Sequence, residues 1–373
     1  EEKGDMRFAI QGARLTHARV PLVEPFRISS GAVSEKDGLI VQLESDGLTG
    51  VGESSPMAGP FYSADTPESC WAELRDDLIP ELLQQQFPSH PAALEWINAQ
   101  PASNFSRTGI EAALWDLEAR RQGKPLYELL GGTNRPVESG LAVGLYDTPA
   151  EMLRVIEKHL ACGYKRVKIK IERGRDVELV RAVRGAFGEI PLFVDANGAY
   201  DLTDLHVFQT LDEFNLMMFE QPFAGSMLAE SAELQRRVRT PVCLDESLET
   251  AGDVQRAIEL GSFKIGNIKI QRVGGFSNAL AIHDLCREHK IPVWTGTMPE
   301  LGVGCAQGIA LATLGHCMFP TDVEASLRWF RDDIVAPLIE VRDGHLYPSA
   351  SPGLGFEVDE AKLDRYKVAS IYF

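Results

Sequence analysis

Six residues in the middle of the chain have the types and spacing for proton chemistry: Lys168, Lys170, Asp195, Glu220, Asp245 and Lys269. From Lys170, the steps to Asp195, Glu220, Asp245 and Lys269 are 25, 25, 25 and 24 residues. The six lie in or at the end of short apolar runs: Arg166-Val-Lys-Ile-Lys-Ile, Leu192-Phe-Val-Asp-Ala-Asn, Leu216-Met-Met-Phe-Glu-Gln-Pro, Pro241-Val-Cys-Leu-Asp-Glu-Ser and Ile265-Gly-Asn-Ile-Lys-Ile. Three carboxylates with no His or Cys nearby form an all-oxygen donor set, which suits a hard cation such as Mg²⁺ or Mn²⁺ rather than Zn²⁺. Asp195, Glu220 and Asp245 are therefore candidate metal ligands. The flanking lysines would place an ammonium group near each face of a substrate held above the metal. Lys168 and Lys170 share one strand face, and like charge with partial burial predicts a depressed pKa for at least one, giving a base near neutral pH. The competing reading is a structural salt-bridge network, since burying so many charges is costly unless they are paired or bind a metal.

A step of about 25 residues suits one strand, one helix and two short loops. Equal units in succession predict an α/β fold, a (β/α)₈ barrel of parallel strands with its active face at the strands' carboxyl ends. The side-chain period of two puts Arg166, Lys168 and Lys170 on one face and Val167, Ile169 and Ile171 on the other. Asp195 with Asn197, Asp245 with Ser247 and Lys269 with Asn267 point inward in the same way. Val137 to Leu145 reads as the first barrel strand, Pro149 to Cys162 as its helix, Pro292-Val-Trp-Thr-Gly-Thr-Met as a later strand and Met318 to Glu324 as the eighth. Gly274-Gly275 could form an anion-binding turn at a helix start or a simple tight turn. No nucleophile elbow and no Walker or Rossmann glycine pattern is present.

With these residues in hand, the chain resembles the enolase superfamily, in its muconate lactonizing branch. Within that branch it is most similar to the o-succinylbenzoate synthase and N-succinylamino acid racemase group. The resemblance is carried by Lys168-Ile-Lys170, the Asp195/Glu220/Asp245 set and Lys269. Further motifs are Pro25-Phe-Arg-Ile-Ser, Gly50-Val-Gly-Glu, Pro60-Phe-Tyr-Ser, Asp195-Ala-Asn-Gly-Ala-Tyr, Glu220-Gln-Pro, Cys243-Leu-Asp-Glu-Ser, Asn267-Ile-Lys-Ile-Gln-Arg-Val-Gly-Gly and Ser351-Pro-Gly-Leu-Gly. It implies a modified, enolase-like barrel with an α+β capping domain, a Mg²⁺ cofactor, a small-molecule carboxylate substrate and a homo-oligomer. It also implies Lys170 as acid/base, Lys168 as its electrostatic neighbour and Lys269 on the opposite face. Phe26 and Arg27 would reach the barrel mouth from the loop Leu22 to Lys36, and Tyr62 from the loop Pro56 to Asp65. Asn197, Arg272, Thr297 and Glu300 complete the implied substrate side, with Glu300 orienting Lys269 or serving as a structural cap. The sequence departs from the group's pattern at Ala142, where serine is frequent, at Cys305, where arginine is frequent, and in Asp322-Val-Glu-Ala-Ser-Leu-Arg. Muconate cycloisomerase and dipeptide epimerase remain rival outcomes, and a metal-dependent hydrolase is the rival from another class.

At 373 residues the chain can hold a barrel of about 250 residues and a second domain. The expected division is a cap at 1–131, a barrel at 132–331 and a segment at 332–373 that crosses back to the cap. Within the cap, Thr66-Pro67 opens a helix expected to run to Leu83, and a second helix follows Arg107 and stops at Gly123-Lys-Pro. No apolar run approaches the ~20 residues of a membrane span. Nothing before the first strand reads as a secretory signal, and Glu1 to Asp5 read as a tail. Six scattered cysteines without ligand spacing fit a reduced, cytoplasmic protein. A net charge of -17 argues against nucleic acid or an anionic membrane as partner.

Overall fold

The computed structural model describes residues 8–28, 31–59 and 63–373. Tyr62 and the tail Glu1 to Asp5 lie outside them. Three antiparallel strands open the chain: β1 (Gly12–Ile28), β2 (Gly31–Ser45) and β3 (Leu48–Ser54). Asp46 and Gly47 join β2 to β3, both with positive φ (50° and 75°). That is the two-residue turn whose twist matches the strands it connects.

Thr66 caps the next helix, with Pro67 in its first turn, as expected. The helix runs through Pro67–Ala72, Glu73–Leu78 and Ile79–Leu82, and its middle stretch widens to a π-helix. Pro80 offers no N–H to continue the α pattern there. Helix α1 (Asn104–Gln122) starts at the Ser103 cap and ends at the left-handed Gly123. It buries Ile110, Ala113, Leu114 and Leu117. Its backbone lies directly on β3: a Cβ at Gly50 would stand 2.2 Å from the Ala113 carbonyl, and one at Gly52 2.2 Å from the Gly109 carbonyl.

The barrel is built from β4 (Leu141–Val143), β5 (Val167–Lys170), β6 (Leu192–Asp195), β7 (Phe219–Glu220), β8 (Val242–Leu244), β9 (Ile265–Ile268) and β10 (Val293–Thr295). They pair in chain order as one parallel sheet. Helices follow each strand, among them α2 (Phe276–Glu288) after β9 and α3 (Gly302–Ala312) after β10. The sheet curls until its edges meet across the segment 317–323. Met318 N donates to Val293 O (2.8 Å) and Asp322 N to Thr295 O (3.1 Å); on the other side, Gly140 N donates to Thr321 O (2.8 Å). The expected eighth strand is thus present as isolated backbone pairing rather than a regular ladder.

The expected first strand also differs. Val137–Glu138 pairs antiparallel with His345–Leu346 outside the barrel, and only Leu141–Val143 joins the parallel sheet. The break falls at Gly140, where a Cβ would stand 2.2 Å from Arg166 Nε. Inside the ring, Phe193, Met218, Cys243, Ile265 and Trp294 form a separate apolar plug. Arg166 Cζ lies 4.8 Å from the centre of the Phe193 ring and 5.3 Å from that of Trp294. The last strand, β11 (Lys367–Tyr372), returns to pair with β1.

Two carboxylates from the first part of the chain close the ends of barrel helices. Glu111 on α1 accepts from Phe276 N and Ser277 N at the start of α2, both at 2.8 Å. Glu53 on β3 accepts from Leu301 N (2.9 Å) and Gly304 N (2.7 Å) at the start of α3. The turn Gly274-Gly275, with φ of 86° and 122°, delivers the chain to the end that Glu111 already fills. Among the described residues no helix is long and apolar enough to cross a membrane, and all six cysteines are free thiols.

Candidate active site

Strand register explains how distant charges meet. Lys170 is level with Asp195, Asp195 with Glu220, and Glu220 with Cys243. Asp245 lies just past β8 and Lys269 just past β9, so all five reach the carboxyl-end rim. Lys170 and Lys269 stand at the two ends of an arc of five consecutive strands, with the three carboxylates between them.

Each lysine has its own carboxylate. Lys170 Nζ bonds Asp195 Oδ2 at 2.5 Å, and Lys269 Nζ lies 2.8 Å from Asp245 Oδ2. Lys168, one level deeper, is 3.2 Å from Glu220 Oε2 and 3.7 Å from Asp195 Oδ2, and bonds Asp322 Oδ2 at 2.5 Å. Burial alone would lower its pKa, but the charges of Asp322, Glu220 and Asp195 outweigh it and raise the ammonium above its ordinary value. The depression expected from its proximity to Lys170 is therefore reversed at Lys168. Asp322 also pairs with the buried Arg166.

Arg272 pairs with Asp245 and donates to Asn267 O (2.6 Å) and Leu248 O (3.1 Å). Against the penalty of burial, Lys269 and Arg272 together hold Asp245 down at about 2. Asn197 Nδ2 donates to Glu246 Oε1 (3.1 Å), while its main-chain N–H donates to Asp195 Oδ1 (2.9 Å). Glu300 Oε1 accepts from Met298 N (3.1 Å), and burial followed by the charge of Glu53 pushes it up to about 8. It thus fixes the turn after β10.

A cavity opens over this rim, lined by Lys168, Lys170, Asn197, Lys269, Thr297 and Asp322 on its polar side. Phe26, Met57, Met298 and Trp329 line its apolar side. Phe26 reaches the cavity as expected, but from the β1–β2 hairpin rather than from a loop at Leu22 to Lys36. Arg27 does not reach in: its guanidinium is half exposed and bonds Asp147 Oδ1 at 2.6 Å. Extended strand geometry sends it to the face opposite Phe26.

Three contributors escaped the sequence reading, and a fourth, Asp322, was noted only as a departure from the resemblance's pattern. Glu246 follows a strand that ends at Leu244, so alternation no longer predicts its direction. Gln221 adopts a left-handed φ of 38°, uncommon for such a residue, and four hydrogen bonds hold it there. Its Oε1 accepts from Asp245 N (2.8 Å) and Ser247 N (3.3 Å), and its Nε2 donates to Phe223 O (2.7 Å) and Ser247 Oγ (2.8 Å). The Glu-Gln-Pro motif was the available signal. Asp322 lies in the segment expected as the eighth strand, and Trp329 ends a short helix, Ser326–Trp329, too brief to show a period.

Among the described residues, no three His, Cys, Asp or Glu side chains already enclose an ion, because the carboxylates lean on ammonium groups. Two buried oxygens beside them, Glu246 Oε2 and Asn267 Oδ1, have no hydrogen-bond partner. Burial and the charges of neighbouring carboxylates push Glu220 up to about 8 and Glu246 up to about 7. A site this rich in crowded oxygen donors suits a hard divalent cation, which would relieve that repulsion.

Residues 10–131 match the family model for the mandelate racemase / muconate lactonizing enzyme N-terminal domain, and residues 151–362 match the enolase C-terminal domain-like model. An o-succinylbenzoate synthase of Geobacillus kaustophilus is 42% identical over 363 residues, covering 97% of this chain and 96% of that protein. An N-succinylamino acid racemase of Amycolatopsis sp. is 38% identical over 364 residues, covering 97% and 99%. A solved member of the enolase superfamily from Listeria innocua superposes with a TM-score of 0.93 at 34% identity, over 98% of this chain and 99% of that one.

Proposed function

We propose, from the premise that this chain belongs to the mandelate racemase / muconate lactonizing enzyme family of the enolase superfamily, that it removes the α-proton of a small carboxylate, acting as an o-succinylbenzoate synthase, an N-succinylamino acid racemase or both. The observation that carries this reading is the arc of Lys170, Asp195, Glu220, Asp245 and Lys269 on five consecutive strands, which sets one ammonium group on each side of the carboxylates.

Members of the superfamily are metal-dependent. Asp195, Glu220 and Asp245 are the residues that would hold Mg²⁺, or Mn²⁺ in its place, where it would offset the charge gathering on the substrate carboxylate as the α-proton leaves. Lys170 Nζ takes that proton. Lys168, with three carboxylates around it, stays cationic and stabilises the ene-diolate electrostatically. For a substrate with a β-hydroxyl, Lys170 returns its proton to the departing hydroxyl, and the outcome is syn dehydration. For an N-acylated amino acid, Lys269 delivers a proton to the opposite face, and the outcome is racemisation. Phe26, Met57 and Trp329 would cover the reacting carbon and exclude water. Residues 1–131, joined by the returning segment 332–373, would form the cap and residues 132–331 the barrel.

A dipeptide epimerase needs carboxylates free to meet a substrate ammonium group. Here Asp322 is taken by Lys168 and Arg166, while Glu324 accepts from Ala142 N (2.7 Å) and pairs with Arg328 (3.2 Å). This favours an acylated over a free amine.

The test is α-proton exchange in deuterated water across N-succinylamino acids, dipeptides and muconate, with Lys170→Ala and Lys269→Ala variants. Two-base chemistry predicts that each variant still exchanges one enantiomer and that the preferences are opposite, although losing a cation near the ene-diolate can itself cost about 10²-fold in rate. Equal loss for both enantiomers in both variants would refute the racemase reading. Absence of exchange with every substrate in the parent enzyme would refute enolisation.

A further inference from the structure

We propose that Arg328 is a specificity-determining positioning residue, which ties the β1–β2 hairpin to the segment closing the barrel and so holds the aromatic wall of the cavity, Phe26 and Trp329, opposite the lysines. The proposal rests on the functional reading above only for the choice of substrates.

Arg328 lies behind that wall, with its side chain 3% exposed, and meets partners from three parts of the chain. Nη1 is 3.4 Å from Glu24 Oε1 on β1, Nε is 3.2 Å from Glu324 Oε2 in the closing segment, and Nη2 donates to Ala142 O on β4 at 3.3 Å. Its Cζ stacks 4.8 Å from the Trp329 ring centre, and the Trp329 ring meets Phe26 edge-on at 5.0 Å and 83°. A planar fork that pairs, stacks and bridges at once is a task lysine cannot reproduce. Tyr146 reinforces the same arm, its hydroxyl donating to Glu24 Oε1 at 2.9 Å. Leu145 N donates to Arg27 O (2.8 Å), and Leu22 bridges Phe330, so the hairpin is fastened on both sides of Phe26. Phe26, Ala142 and Trp329 line the cavity; Arg328, Glu24 and Tyr146 do not. The network therefore acts through the wall and not on the reacting atoms. It should govern how well a bulky apolar substituent is held, and leave proton transfer alone.

Replacing Arg328 with an apolar residue would strand the buried Glu324 and could unfold the chain. The informative variants are therefore Glu24→Ala, which removes only the partly exposed hairpin arm, and Arg328→Lys, which keeps the charge. Hydrogen exchange followed by mass spectrometry should show faster exchange in the peptide spanning Leu22 to Ile28 in both variants. For N-succinylphenylalanine, KM should rise roughly three- to fivefold in Glu24→Ala, the scale of one partly exposed ion pair, and further in Arg328→Lys. Its kcat, and both constants for N-succinylalanine, should stay within about twofold, because uniform binding and not transition-state stabilisation is lost. Unchanged exchange in the hairpin peptide, or equal KM changes for the large and small substrates, would overturn the proposal. If the parent enzyme turned over neither substrate, the functional reading would fall, and the hydrogen-exchange arm alone would decide on the latch.

Discussion

Glu111→Ala tests whether the first part of the chain is locked to the barrel through helix ends. Glu111 is fully buried on α1, and four donors converge on its two oxygens: Phe276 N (2.8 Å), Ser277 N (2.8 Å), Ser277 Oγ (2.6 Å) and Trp115 Nε1 (3.0 Å). Truncation leaves the two main-chain N–H groups at the start of α2, on buried Phe276 and half-buried Ser277, without acceptors. At about 1–3 kcal/mol for each orphaned buried donor, the expected loss is about 2–6 kcal/mol. The interaction of the carboxylate with the helix end overlaps with these bonds and is not added. The assay is urea denaturation followed by circular dichroism and tryptophan fluorescence, with Glu128→Ala as the control. Glu128 is exposed, and its loss should stay within ~0.5 kcal/mol. The pH dependence carries a second signature. Burial raises the Glu111 carboxyl above its ordinary 4.5, outweighing the bonds from Ser277, Phe276 and Trp115. Between the two values the folded chain keeps a proton that the unfolded chain has lost, so this group's contribution is fullest below 4.5 and falls as pH rises through the folded pKa. Glu111→Gln has no such proton, and the stability difference between parent and variant should narrow with rising pH. A loss under ~1 kcal/mol in Glu111→Ala, or an equal loss in the control, would refute the reasoning.

Chelation should abolish α-proton exchange and Mg²⁺ or Mn²⁺ restore it; full activity in metal-stripped enzyme would sink the assignment of the carboxylates. Glu220→Gln keeps the acceptor that Asn267 Nδ2 uses at 2.8 Å, so circular dichroism should be unchanged while calorimetry shows Mg²⁺ affinity falling by more than the roughly 10- to 100-fold of a change outside the ligand set. Gly50→Ala would press a Cβ to 2.2 Å from the Ala113 carbonyl, so denaturation should show a loss of about 1–3 kcal/mol from overpacking, or more if α1 cannot shift.

The parallel sheet was legible because its unit repeats: each strand-helix pair consumes nearly the same number of residues, so Lys170, Asp195, Glu220, Asp245 and Lys269 recur in step. The segment that carries Phe26 was expected as a loop, Leu22 to Lys36, but it continues β1 and β2 as a hairpin, and strand alternation sends Arg27 outward to Asp147. What could not be read depends on residues far apart in the chain. Lys168 is raised because Asp322, 154 residues away, bonds it, and no local argument about Lys170 could anticipate that sign. Gly140 interrupts the first strand because Arg166 crosses there. The closing segment was read as the eighth strand, Met318 to Glu324; what was not legible is that its backbone groups pair with β10 on one side and the approach to β4 on the other as isolated bridges and not as a ladder. Glu246 and Gln221 sit where strands have already ended and backbone geometry, not side-chain period, sets direction.

Dehydration and racemisation are not competing designs of this site. The two lysines are equivalent in kind: each stands at an end of the same five-strand arc, and each is held by a carboxylate on the neighbouring strand, Lys170 by Asp195 and Lys269 by Asp245. In that pairing the two faces of a bound carboxylate would meet like groups. What breaks the symmetry lies on the substrate. On the proposed chemistry, with a leaving group beside the acidic carbon the ene-diolate would collapse by expelling it, and the lysine that took the proton would be placed to give it back. With no leaving group, the intermediate waits until a proton returns from either side. Of the positions read as departures from the group's pattern, Ala142 and Asp322 line the cavity and Cys305 does not, while Ala142 and Arg328 belong to the network behind the aromatic wall. On the proposed reading, selection among acids would be exercised at that wall, through binding, while the rim of lysines and carboxylates would stay common to both reactions.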